Sequence, residues 1–446
     1  VWEDFKSSRE KMQCAASTAT KAFSDNIHIT DVWHGAEFQG FMVRVNLKPG
    51  EEPLVFMLYY DGLEVVSGLG QARGTHEFGC FYWALLNLGA EKRMDRNNIR
   101  LATICYKRAI GICGMEQVIG GSNRPDESPS WVQWMKILDR GITLTTPEGP
   151  KVFRGGTCMI SADTPAASEL MGTKKAVGPS TKSICRNCHC RQENGAHKQP
   201  CSFLASQPGW KRYCPQRSTP FQLRSSQDLR NYIARLKDVL SGEATYTELQ
   251  AWMQDQGVNT FLCAVHQMPH FSTLTGCPQD MMHIWCEGVA RQGLGAISYW
   301  LKTVCKANLY ELPKLILAEA RKRGVPRHEF PYLNTTRITH LGTGRDGGLP
   351  SSDCSFPGTA SQIGHFILHL PSILGPLVPQ EHRNHQVWQM ALLMTKIGRL
   401  LWQRSFTTQD ILELDKSIWL HDAVYLGSPF LQHLWKPKNH YLSHIP

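Results

Sequence analysis

The stretch "FRGGTCMISADTPAASEL", residues 153–170, decides how this chain is read. Cys158-Met159-Ile160 has the character of a buried strand, yet it runs straight into Asp163 and then Thr164-Pro165, which cannot continue it. A carboxylate where a buried strand empties into a turn has two explanations. It starts the turn, as Asp often does, or the strand carries it to a rigid rim where it does chemistry.

Working outward, "EPLVFMLYYDGLEVV" (52–66) is a continuous apolar run bounded by Pro53 and Gly62, the pattern of a strand covered on both faces. "HEFGCFYWALLNL" (76–88) and "NIRLATICY" (98–106) are rich in aromatic and β-branched residues and read as two more strands, spaced closely enough to be antiparallel neighbours. "SPSWVQWMKILDRGI" (128–142) has helical spacing and stops at Gly141. The order is therefore strand, strand, strand, helix, strand, with Asp61 at the mouth of the first strand and Asp163 at the mouth of the fourth. If those two strands are neighbours, the carboxylates converge. Like charges held close need a cation, and hard ions such as Mg²⁺ take oxygen ligands. Two such ions can activate a nucleophile and stabilise a leaving oxygen on phosphorus.

After residue 172 the texture changes. "GTKKAVGPSTKSICRNCHCRQENGAHKQPC" (172–201) is basic and Cys/His-rich. From Ser225 onward the pattern is helical: "SSQDLRNYIARLKDVLSG" and "TYTELQAWMQDQG" open on Ser/Thr caps and close on Gly. Further helices are expected at 287–306, 311–323, 359–376, 384–404 and 407–424. The Gly/Ser-rich segment 337–360 reads as a loop, and its "GTGRDGG" lacks the Lys-Ser/Thr ending of a phosphate loop.

Cys185 and Cys188, in "CRNC", form half of a tetrahedral zinc site. "KPKNHYLSHIP" supplies His440 and His444 at helical i, i+4 spacing, which completes four ligands and would staple the two ends of the helical region together. Cys190 lies close by. A redox role for the cysteines and core or surface roles for the histidines remain open, with Cys201, Cys214, His189 and His197 as substitute ligands. "CPQDMMHIWCEGV" (277–289) places His283 and Glu287 at i, i+4, either toward a metal triad or as a plain helix start with Asp280 near its N-terminus. Arg73, His76, Lys174, Lys175, Arg186 and Arg191 are cations that either meet phosphates or form a solvated face, and Trp210 and Tyr213 sit in an aromatic–basic mixture.

The bulk numbers agree with this picture without deciding it. The net charge of +10 favours an acidic partner such as nucleic acid. Fifteen cysteines, odd in number and scattered through apolar segments, suit reduced thiols and a metal site over a secreted disulfide framework. No apolar run approaches the ~18 residues that cross a bilayer, and no signal peptide is present. The chain opens on Val1 and stops at Pro446 with no terminal signal, and is expected to be a fragment.

Taken in order, "LYYDGLEVV", "ISADTPAASELMG", "CRNC", "DMMHIWCEG" and "KPKNHYLSHIP" resemble transposases of the CACTA (En/Spm) kind and related transposase-derived proteins. The resemblance implies an α/β fold: a ribonuclease-H-like mixed sheet with a large, mainly α-helical, zinc-containing insertion. Residues 1–50 would be an approach segment, 51–172 the core and 173–446 the insertion, ending before the last core helix. It implies a DDE site in which three acids bind two Mg²⁺ or Mn²⁺ ions, nick DNA and join a 3′-hydroxyl to a target. By position the first two acids are Asp61 and Asp163. The third, a Glu, is expected beyond the paired histidines and outside this chain, with Glu287 its one stand-in. Cys185, Cys188, His440 and His444 would hold one structural Zn²⁺. DNA as partner, nuclear localisation, no membrane and a possible homo-oligomer follow from the resemblance, as does the alternative of a domesticated, inactive relative that binds DNA or protein.

Overall fold

The computed structural model describes residues 2–19, 29–64, 77–121, 128–174, 183, 185–188, 224–259, 263–341, 344–345, 349–350 and 354–445. Their architecture is mixed α/β, with one five-stranded mixed sheet and many helices. The strands are β1 (Glu51–Glu64), β2 (Glu77–Leu85), β3 (Arg100–Tyr106), β4 (Ile142–Thr146) and β5 (Gly149–Ala162), arranged β3-β2-β1-β5-β4. β1 is antiparallel to β2 and β2 to β3, as short connections dictate, while β1 and β5 run parallel. The crossover between β1 and β5 contains β2, β3 and the helix Trp131–Arg140.

Both faces of β1 and β5 are covered, which is why they read as unbroken apolar runs. On one face Leu58, Tyr60, Phe81, Ile160 and Ala162 pack with Ile110, Val132, Met135 and Ala167 from flanking helices. On the other, Val55, Leu86 and Cys158 meet Trp33, Phe38, Phe41 and Val45. The described residues between 2 and 50 thus contribute part of the sheet's cover. Phe5 of the helix Trp2–Ala19 meets Phe153 edge-on, and Arg9 pairs with the buried Glu52 at 2.8 Å. Gly155 lets β1 and β5 close up, since a Cβ there would lie 2.0 Å from the Leu54 carbonyl oxygen.

Sequence reasoning missed β4, which pairs antiparallel with β5 from Ile142↔Phe153 to Thr146↔Gly149. Beyond that hairpin the outer edge of β5 is met by a loop, Ile160 N–H donating to Gly276 O at 2.7 Å. The expected helices are present, with Ser225, Thr245, Thr359 and Thr407 each closing a capping box. Residues 282–426 and 431–442 contribute most of a second, larger core around Trp285, Trp300, Phe366 and Tyr425, and Cys185 and Cys188 are buried in it. Within the Gly-rich segment expected to be a loop, Gly344–Arg345 pairs with Leu349–Pro350. Among the described residues no helix is long and apolar enough to cross a membrane.

Candidate metal centre and acidic rim

The sequence-expected cysteines and histidines meet. Cys185 Sγ lies 3.4 Å from His444 Nε2, Cys188 Sγ lies 3.3 Å from His440 Nε2, and the two Nε2 atoms are 3.3 Å apart. All four ligand atoms fall within 4.8 Å of one another. A tetrahedral ion with Zn–S of about 2.3 Å and Zn–N of about 2.0–2.1 Å separates its ligands by roughly 3.3–3.8 Å. The four side chains therefore already have the spacing of a closed Cys₂His₂ site that can hold a metal such as zinc. Cys188 and His440 are 252 residues apart in the chain, so the cluster joins the two ends of the helical region.

Local structure explains the convergence. The Asn187 amide donates to Cys185 Sγ at 3.3 Å, folding the Cys-x-x-Cys turn around its own thiol. Arg224 holds that turn from outside through Cys185 O at 3.1 Å, and Gln279 reaches the Asn187 amide oxygen at 2.5 Å. His440 projects from the short helix Pro437–Leu442, and His444 sits in the turn that follows it. Burial alone would raise the Cys185 thiol pKa. The hydrogen bond with Cys188 and the imidazoles of His440 and His444 outweigh it and hold the thiol well below its ordinary range. A thiol poised to ionise beside imidazoles is what a metal site requires.

Asp61 and Asp163 stand at the same end of neighbouring strands. Tyr60 on β1 pairs with Ala162 on β5, so the two acids occupy the next step at the same end of parallel neighbours. Adjacent strands lie about 4.8 Å apart and registered side chains share a face. Asp61 Oδ2 accepts from the Tyr59 hydroxyl at 3.0 Å and Oδ1 from the Gly62 amide at 2.8 Å. Asp163 caps the helix Thr164–Leu170, Oδ1 accepting from the Ala166 amide at 2.7 Å. The turn role is therefore real, and it occupies one of the two carboxylate oxygens.

A third element reaches this rim. The segment Met282–Ala290 is wound with wide, π-type turns, and Asp280 accepts at its start from the Met282 and His283 amides at 2.8 and 3.3 Å. Asp280 Oδ2 also lies 2.6 Å from His283 Nδ1, and His283 Nε2 lies 3.8 Å from Glu287 Oε2. Burial raises the Tyr59 hydroxyl pKa, and Asp61, Asp280 and Asp163 push it the same way, so all three carboxylates lie within electrostatic reach of one phenol. Asp280, read from the sequence only as a helix-start residue, thus borders the pair. Its signal was the Asp-x-x-His spacing. Glu287, the expected stand-in, acts on Lys438, whose ammonium pKa is lowered by burial against the pull of Glu287, Asp280 and Asp163.

Of the cations expected to meet phosphates, Lys174 and Arg186 line one small polar cavity with Thr164, Cys185 and Tyr441, between the Cys₂His₂ cluster and the helix that Asp163 caps. Arg73, His76, Lys175, Arg191, Cys190, the substitute ligands Cys201, Cys214, His189 and His197, and Trp210 and Tyr213 lie outside the described residues. A larger cavity of ≈ 680 Å³ opens over Leu58, Phe81, Trp83, Trp131 and Trp134, on the sheet face away from Asp61, and no rim residue lines it. No protein-family model matches the chain, and neither does any curated protein.

Proposed function

We propose that this chain is the catalytic region of a DNA transposase, built on a ribonuclease-H-like sheet with a zinc-bearing helical insertion, and suited to two-metal phosphoryl transfer. One observation carries the reading: Asp61 and Asp163 emerge in step from parallel neighbours β1 and β5 at one end of one sheet. Strand ends are rigid supports for carboxylates that share divalent ions. Two Mg²⁺ or Mn²⁺ ions there would activate water or a 3′-hydroxyl and steady the departing oxygen of a phosphodiester. Lys174 and Arg186 would contact DNA phosphates, which fix position more than sequence. Zn²⁺ at Cys185, Cys188, His440 and His444 is a structural staple in this scheme, with every coordination position filled by protein.

A Mn²⁺ titration followed by electron paramagnetic resonance tests the reading on the zinc-loaded chain. Saturable binding that weakens at least tenfold in Asp61→Asn supports it. A folded, zinc-loaded chain that takes up no Mn²⁺ overturns it. The second reading, a transposase-derived protein that keeps the fold and binds DNA or protein without cutting, is favoured by the hydrogen bonds already made by both acids, Asp61 to Tyr59 and Gly62 and Asp163 to Ala166. It predicts DNA binding that is indifferent to Mn²⁺ and to Asp61→Asn.

A further inference from the structure

We infer that Lys438, delivered by the zinc-bound helix, is the cation that grips the substrate phosphate at the acidic rim. The inference rests on the proposed DNA-processing role and adds a phosphate contact that neither the metal ligands nor Lys174 and Arg186 supply. Lys438 lies on Pro437–Leu442, two positions before His440, so the Cys₂His₂ cluster fixes where its stem begins.

The stem then crosses Gly288 of the Met282–Ala290 segment. A Cβ at that position would stand 2.4 Å from Lys438 Cδ, so the glycine keeps the path open. The ammonium is anchored at the far end, donating to His283 O at 2.8 Å. It makes no ion pair among the described residues, although Glu287, Asp280 and Asp163 all act on it through space. A lysine has three donors and no acceptor. One donor here is used for anchoring, which leaves two beside carboxylates that the ammonium does not touch.

That is a poor arrangement for a structural salt bridge and a good one for a third party. Metal ions on Asp61 and Asp163 would bring a phosphate whose non-bridging oxygens carry negative charge, and Lys438 would meet one of them from the zinc side. Charge developing on that phosphate during transfer would strengthen the contact, as preorganised donors do. The zinc centre then does more than hold the fold: it sets the position of a substrate-contacting cation.

The test is DNA binding by the zinc-loaded chain to a fluorescent duplex of arbitrary sequence, across a salt series in the presence of Ca²⁺. Lys438→Met should weaken binding and lower the log–log salt slope by about 1. Lys438→Arg should restore most of the slope, and thermal midpoints and zinc content of both variants serve as folding controls. Because Arg186 also sits in the zinc-binding turn, zinc is removed in an Arg186→Met background with a zinc-selective chelator that leaves Ca²⁺ in place. This should bring that chain down to the affinity of the Arg186→Met, Lys438→Met double variant while leaving the double variant nearly unchanged. If the wild-type chain fails to bind DNA, the proposed function falls. If it binds and Lys438→Met keeps the full slope, Lys438 is not a phosphate contact. If zinc loss and Lys438→Met are additive, the zinc centre does not deliver the lysine.

Discussion

Asp163 caps a helix, and the metal-ligand role proposed for it can be separated from that cap. Asparagine caps helices about as well as aspartate, whereas alanine in place of a cap costs about 0.5–2 kcal/mol. Asp163→Asn should therefore leave the thermal midpoint nearly unchanged and weaken Mn²⁺ binding, while Asp163→Ala should lower both. Equal Mn²⁺ affinity in the wild type and Asp163→Asn would reduce the residue to a cap. Cys185 carries a complementary prediction. Its thiol pKa is depressed in the folded chain, so the stability it contributes is fully present above the ordinary thiol pKa, near 8.5, and is lost as pH falls through the folded value. Zinc analysis should give about one ion per chain, released on acidification and absent in Cys185→Ser. A Cys185→Ser protein with its full zinc content would dismiss the Cys₂His₂ assignment.

Elements set where these residues meet, and here the strand pair matters most. β1 and β5 reach close register through Gly155, and the step shifts between Phe56 and Met57 where β5 carries one extra residue, so Asp61 and Asp163 stand opposite only after that bulge. Gly155→Ala should destabilise the chain by about 1–3 kcal/mol, measured by denaturant unfolding, and should weaken Mn²⁺ binding although the residue touches no ligand. Unchanged stability would show that the sheet tolerates a wider β1–β5 spacing. The same elements show what a sequence can and cannot carry. Strands β1, β2, β3 and β5 were legible because apolar runs report burial, and the helices from Ser225 onward because Ser/Thr caps and terminal glycines report their own ends. β4 was not, because Ile142-Thr143-Leu144-Thr145-Thr146 is a short edge strand, mostly exposed, with little burial to mark it. Asp280 was legible as a helix start through its Asp-x-x-His spacing, but the Lys438 contact was not, because local pattern does not encode a meeting of the 280s with the 430s.

At the scale of the molecule, two cores share one hinge of chemistry. The sheet core around Leu58, Phe81 and Ile160 is built by residues before 173 together with 263–277, while the helical core contains Cys185, Cys188 and the segment that feeds the rim. A zinc ion held by the four ligands would close a loop of 252 residues between Cys188 and His440, and its removal should then act unevenly. The helix Pro437–Leu442 packs on Met282–Ala290, and that contact, with the Lys438–His283 bond, is what the lost staple would loosen first. Amide hydrogen exchange in a chelator should therefore quicken over Met282–Ala290 and Pro437–Leu442 by about tenfold or more, equivalent to roughly 1.4 kcal/mol of local opening. The central amides of β1 and β5, hydrogen-bonded within the sheet and covered on both faces, should keep their protection. Uniform loss of protection across both cores would mean that zinc supports the whole fold as one cooperative unit, and that the rim is not separately tuned by it. Quickening confined to the rim-feeding segments would establish that the metal governs how Asp280, His283 and Lys438 are held at the rim, while the strands that carry Asp61 and Asp163 stand independently of it.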